Sequence, residues 1–126
     1  MVDPERLEFE EGYARFRPVG AVTVTRLLPM LREVMMACQE RHVTRLVMDG
    51  RMLDHKTLTL ADRLRMATAL ALFWDRGIKF AIVGRTDQFD PEQFDTLVTR
   101  NRGLPIGFYA SESEALSWLF ESPDVS

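Results

Sequence analysis

The sequence predicts an α/β sandwich with a mixed, mainly parallel sheet, in the order β-β-α-β-α-β-α-β-α. Three observations carry this prediction. The first is alternation of apolar and charged residues on both sides of Glu11-Gly12. The second is a set of short, continuously apolar runs at Arg45–Asp49, Lys79–Gly84 and Ile106–Tyr109. The third is helical spacing of apolar residues between those runs, with capping signals at the starts. Strands that alternate with helices imply right-handed crossovers and parallel pairing, and the opening hairpin adds an antiparallel edge.

The alternating segments are Leu7-Glu-Phe-Glu10 and Tyr13-Ala-Arg-Phe-Arg17. Period-two alternation places one face on a core and the other in water, and a glycine permits the tight turn. Pro18 ends the second strand. Leu27, Leu31, Val34, Met35 and Cys38 then fall on one side of a helix, with Arg32, Glu33, Gln39 and Glu40 mostly opposite. Thr23 or Thr25 is the expected cap, and Pro29 favours a late start.

Arg45-Leu-Val-Met-Asp49 reads as a strand buried on both faces. A polar loop from Arg51 to Thr57 follows. Thr59-Leu-Ala-Asp62 has the spacing of a capping box, opening a helix that runs to about Asp75 and closes at Arg76-Gly77. After the Lys79–Gly84 strand, Asp90-Pro-Glu-Gln93 starts a helix that Gly103 stops. Ser111-Glu-Ser-Glu114 is a second capping box, leading Ala115, Leu116 and Leu119 onto one face. The tail from Ser122 is expected to fray.

The chain has 126 residues, 46% hydrophobic and 28% charged, so residues 1–126 are expected to form a single domain with one core. The only cysteine, Cys38, excludes an intrachain disulfide and any cysteine-based metal cluster. A net charge of −3 gives no general attraction to nucleic acid or anionic membrane. No apolar run approaches the roughly 20 residues needed to span a bilayer. The acidic start, Met1-Val-Asp-Pro-Glu-Arg6, has no apolar signal core, and a cytoplasmic location is the expectation.

This succession resembles the STAS domain, and more closely the small single-domain bacterial type called SpoIIAA-like, within the STAS and SEC14-like superfamily. The carriers are Phe16-Arg-Pro-Val-Gly20, Leu46-Val-Met-Asp49, Lys79-Phe-Ala-Ile-Val-Gly84, Asp90-Pro-Glu-Gln-Phe94, Asn101-Arg-Gly103 and Glu114-Ala-Leu-Ser-Trp-Leu119, in that order over roughly residues 6 to 120. The resemblance implies a partner-binding or ligand-responsive module rather than an enzyme. In anti-sigma antagonists a serine or threonine after the central strand is phosphorylated by a partner kinase. The corresponding stretch here, Asp54-His-Lys-Thr-Leu-Thr59, offers Thr57 and Thr59 but lacks the family's Ser-x-Gly turn. The SEC14-like side of the superfamily implies an apolar ligand.

Ligands of open α/β sheets gather beyond the carboxyl ends of the parallel strands. That places Asp49, Arg51, Asp54, His55, Lys56 and Arg85 on one candidate surface for an anion or a partner, against the alternative that these are simply solvated loops. Thr57 and Thr59 are candidate phosphoacceptors, against the plainer reading that Thr59 is a helix cap, which its spacing to Asp62 predicts directly. His55 between Asp54 and Lys56 admits an acid–base role, but no second histidine or nucleophile is placed to join it. His42 belongs to the turn at the other end of the sheet, and Cys38 lies on an apolar helix face. Gly84-Arg-Thr86 is neither a dinucleotide fingerprint nor a P-loop. The sequence therefore offers no catalytic constellation, no metal site and no cofactor.

The segment Met66–Trp74 is apolar except for Thr68. A sheet-facing stripe uses Leu60, Leu64, Ala67, Leu70, Ala71 and Trp74, which leaves Met66, Ala69, Leu72 and Phe73 on other sides. A neighbouring helix, a second copy of the chain or an apolar ligand could cover the excess, so Met66, Leu70, Phe73 and Trp74 are candidates for an interface or a ligand pocket. The reading that follows is a non-catalytic regulatory or protein-interaction module whose partner is another protein or a homodimer mate. A carrier or sensor of a small, lipid-like molecule is the alternative. An enzyme built on the Asp54-His55-Lys56 loop is a third.

Overall fold

The structure, a computed structural model, describes residues 7–21, 23–54, 60–85 and 104–121. The helix expected from Asp90 to Gly103, the loop residues His55 to Thr59 and the tail from Ser122 lie outside the described residues.

The hairpin forms as the alternation requires. Strands β1 (Leu7–Glu10) and β2 (Tyr13–Phe16) pair antiparallel, Leu7 opposite Phe16 and Phe9 opposite Ala14. Gly12 sits in the turn at φ +83°, which a side chain disfavours. Parallel pairing then adds β4 (Arg45–Asp49), β6 (Lys79–Val83) and β7 (Ile106–Tyr109), giving the order β1-β2-β4-β6-β7. The fold is thus α/β with an antiparallel edge on an otherwise parallel sheet.

Two pairs of residues were not legible as strands. Gly20–Ala21 (β3) and Leu53–Asp54 (β5) form a separate two-stranded parallel ladder. Two residues are too few for any periodicity to register.

Helix α1 (Val24–Glu40) and helix α2 (Leu60–Phe73) share one face of the sheet. Their apolar side chains, Leu27, Leu31, Val34, Cys38, Leu70 and Trp74 among them, meet Ala14, Phe16, Leu46, Met48 and Phe80 from the strands. Trp74 stacks on Phe80 with ring centroids 4.7 Å apart, and its Nε1 donates to the Ile78 carbonyl at 3.0 Å. The other face packs Val47, Ala81 and Val83 under helix α3 (Glu112–Leu119), through Ala115 and Leu119. The central strands are therefore covered on both sides, as their uninterrupted apolar runs predict.

The helix ends carry two corrections. Helix α1 starts at Val24, with the Thr23 side chain accepting from the Arg26 amide, so Pro29 lies inside the helix rather than delaying it. Pro29 and Thr25, four residues back, both face solvent, where water can serve the carbonyl that the missing N–H leaves open. Helix α2 does not end on a left-handed Gly77, whose φ is not positive. The turn is made instead by Asp75, whose Oδ1 accepts from the Gly77 amide at 2.8 Å.

At the end of α1, His42 takes the left-handed conformation (φ 57°) that glycine usually fills. Its amide donates to the Gln39 carbonyl, and the Val43 amide to the Cys38 carbonyl at 2.8 Å. Helix α3 has no basic residue in its last turn, and two strands supply the cations instead. Lys79 Nζ donates to the Trp118 carbonyl at 2.6 Å and Arg45 Nε to the Leu119 carbonyl at 3.0 Å. Both cations also lie over aromatic rings, Trp118 and Phe120 respectively.

Candidate functional site

Parallel pairing brings the carboxyl ends of β4, β6 and β7 to one edge of the sheet. Backbone bonds hold that edge in line: the Gly50 amide donates to the Val83 carbonyl at 2.8 Å, and the Gly84 amide to the Tyr109 carbonyl at 3.1 Å. Asp49, the last residue of β4, is 7% exposed and is the one buried polar or charged residue among those described.

A carboxylate at such a place needs partners, because burial alone penalises its charge. Arg51 supplies them. Its Nε donates to Oδ1 at 2.9 Å and its Nη2 to Oδ2 at 2.8 Å, a side-on, two-point grip, and its backbone amide adds a third bond to Oδ1 at 3.2 Å. These bonds from the Arg51 guanidinium hold the Asp49 carboxyl below the usual range, against the opposing effect of burial. The Arg51 carbonyl in turn accepts from Arg85 Nη1 at 2.8 Å. The field of Arg17 also reaches Asp49.

Three of the residues expected on this surface are therefore brought together: Asp49, Arg51 and Arg85. Asp54 contributes its backbone to β5, paired with Ala21. His55 and Lys56 lie outside the described residues, as do Thr57 and Thr59.

The sequence reading missed the apolar part of the same edge. Met52, next to Arg51, is 70% exposed, and Val19 is a further exposed large hydrophobic residue. The Gly20 amide donates to the Met52 carbonyl at 3.4 Å, so the two segments run side by side. A lone methionine and a lone valine in loops carry no sequence signal. Only the β3–β5 ladder joins them.

On the sheet face under α3, Arg15 is the hub of a second charged group. It pairs with Glu112 in the first turn of α3, with Glu10 at 3.2 Å and with Glu8 at 3.6 Å, and it donates to the Tyr13 hydroxyl at 2.8 Å. The bond to Glu112 raises the Arg15 pKa. This network ties the hairpin to α3 and leaves Glu112 engaged from the hairpin side.

The α2 candidates separate in the structure. Leu70 and Trp74 are core residues of the protomer. Met66 and Phe73 are partly buried against that core, and the Arg32 guanidinium lies over the Phe73 ring at 5.3 Å. Leu72 is 86% exposed and Met36 is half exposed. Cys38 is fully enclosed, and burial pushes its thiol up to about 11, out of the range of a reactive thiolate at neutral pH. Among the described residues no group of three histidine, cysteine, aspartate or glutamate side chains is placed to hold a metal ion. None of the described helices is long and apolar enough to cross a membrane.

No family model matches the chain, and no curated protein does. Among solved structures the chain is similar to an anti-sigma factor antagonist from Mycobacterium paratuberculosis, with a TM-score of 0.59 and 17% sequence identity, over 96% of this chain and 100% of that one. At that identity the likeness concerns the course of the backbone. This chain therefore has the α/β fold of that antagonist, in agreement with the STAS-type fold that the order of its strands and helices implies.

Proposed function

We propose that the chain is a regulatory module that works by binding a partner protein at the carboxyl edge of its parallel strands, with no chemistry of its own. The observation that carries this reading is the likeness, over nearly the whole chain, to a protein that acts as an anti-sigma factor antagonist. The arrangement at the edge supports it. Asp49, Arg51 and Arg85 form a hydrogen-bonded set built to fix a surface.

Phosphorylation at Thr57 or Thr59 belongs to the same proposal. Both lie in sequence between β5 and α2, and a phosphate adds roughly two negative charges, enough to alter docking at a rim that carries arginines. A cytoplasmic location fits such a regulator. The carrier alternative draws no support from the likeness to the antagonist, and Leu70 and Trp74 are themselves buried in the core between α2 and the sheet. A homodimer remains a proposal on the outer α1–α2 surface, where Leu72 and Met36 are exposed.

The test is affinity capture from a lysate of the source organism with the immobilised chain. The wild type is compared with the R51E/R85E double variant and with E40K, which changes an exposed position at the far end of α1. The same protein should be retained by wild type and E40K and lost with R51E/R85E. Equal retention by all three, or no retained protein, contradicts the proposal.

A further inference from the structure

Arg51 is held far more firmly than an exposed side chain requires. Its amide and two of its guanidinium nitrogens are bound to the carboxylate of Asp49, and its carbonyl is bound by Arg85. Asp49 is buried at the strand end, whereas the Arg51 side chain is 44% exposed. The carboxylate thus grips the Nε–Nη2 edge of the guanidinium and leaves Nη1 outside that pair of bonds. An arginine fixed in this way loses little further freedom on binding, which favours its use as an anchor.

Its neighbour Met52 stands 70% exposed, and Val19 lies across the β3–β5 ladder from it. Arginine and methionine are both enriched where proteins meet, and an apolar side chain beside a fixed cation forms a compact docking unit. Among the described charges that reach this pair, Asp49 and Arg51 offset each other and Glu112 is bound by Arg15. Arg17, half exposed and only loosely placed at 4.0 Å from Glu8, adds positive field on the same side.

We infer that Arg51 and Met52 form the anchor of the docking surface, and that the partner is a protein segment presenting a carboxylate next to a large apolar side chain. The inference rests on the proposed docking function and adds the partner's chemistry to it. Charge complementarity selects an acidic segment over a basic one. The exposed thioether, which adapts to varied shapes, selects an apolar side chain beside the carboxylate.

The experiment is selection of a random-peptide library on the immobilised full chain, followed by affinity measurements with the selected peptides. The recovered sequences should pair Asp or Glu with Leu, Met or Phe within a few positions. R51A should weaken their binding by about tenfold, the loss expected for a charge-assisted bond. R51K should weaken it nearly as much, because lysine keeps the charge but loses the fork that Asp49 orients. D49N should follow R51A in part, and M52S should cost about fivefold, the value of one apolar contact. E40K should bind as the wild type, and circular dichroism of each variant confirms that it is folded. Recovery of basic or featureless peptides, or binding that survives R51A, overturns the inference. If lysate capture still depends on Arg51 and Arg85 while the peptides show no acidic preference, the partner chemistry is wrong and the docking function stands. If neither capture nor peptide selection depends on this edge, both fall.

Discussion

Replacing Trp74 tests how the space between α2 and the sheet is filled. The side chain is 5% exposed, stacked on Phe80 at 4.7 Å with a 19° angle between planes, and bonded to the Ile78 carbonyl. Truncating a buried tryptophan to alanine costs about 3–5 kcal/mol. Of this, the stacked pair accounts for about 0.5–1.5 kcal/mol. The buried Ile78 carbonyl, left without its donor, accounts for about 1–3 kcal/mol. The rest is lost apolar burial. Against a total stability of about 5–15 kcal/mol for a domain, W74A should remain folded but marginal. Urea unfolding followed by far-UV circular dichroism measures the loss, and an unchanged slope shows that the folded state is otherwise intact. A double-mutant cycle with F80L isolates the ring–ring contribution. Free indole should then raise the midpoint of W74A, by refilling the vacated space, and leave the wild type unmoved. A loss below about 1.5 kcal/mol, far under the range for a buried tryptophan, would show that Trp74 does not fill this space. Indole stabilising the wild type would show a cavity open to ligands and revive the carrier reading.

Three further outcomes follow from particular residues. H42G should stabilise the fold by about 0.5–1 kcal/mol, because glycine relieves the left-handed strain of about 1–2 kcal/mol and returns part of it as unfolded-state entropy; a lower urea midpoint would contradict this. G107A should destabilise by about 1–3 kcal/mol and change the near-UV aromatic signal, since a Cβ there would lie 2.8 Å from the Tyr109 ring and hydroxyl; an unchanged spectrum would show that the ring does not lie against Gly107. Asp49 has a folded pKa below its unfolded value, so its stabilisation is present above about pH 4 and is lost as pH falls through the folded value. D49N should therefore be less stable than wild type at neutral pH and converge with it in acid, as read from urea midpoints across pH. A difference that does not shrink as pH falls would place the effect elsewhere.

The strands of the five-stranded sheet and the three described helices were legible because each is long enough to show its period. Leu7–Arg17 alternates, the β4 and β6 runs are apolar throughout, and Ser111 caps α3 as its spacing predicts, accepting from the Glu114 amide at 3.2 Å. Pro29 misled because its rule weighs a lost hydrogen bond and a steric clash, both of which a solvent-facing second turn relieves. The apolar excess of α2 was overestimated for a similar reason. Helical spacing sorts residues around one axis, whereas Phe73 lies under Arg32 of α1 and Met66 packs against the core, neighbours that the spacing cannot see. At the candidate site, strand ends alone placed Asp49, Arg51 and Arg85 side by side, as their hydrogen bonds place them. Met52 and Val19 were not, because their proximity exists only through a ladder of two residues per strand.

The most direct measurement is photocrosslinking in the source organism with a benzophenone side chain placed at Met52, and separately at Leu72. The account predicts a defined adduct with another protein from position 52, diminished by R51A, and none from position 72. Adducts confined to position 72, whether with a second copy of the chain or with a different protein, would move the docking surface to the outer side of α1 and α2 and contradict it.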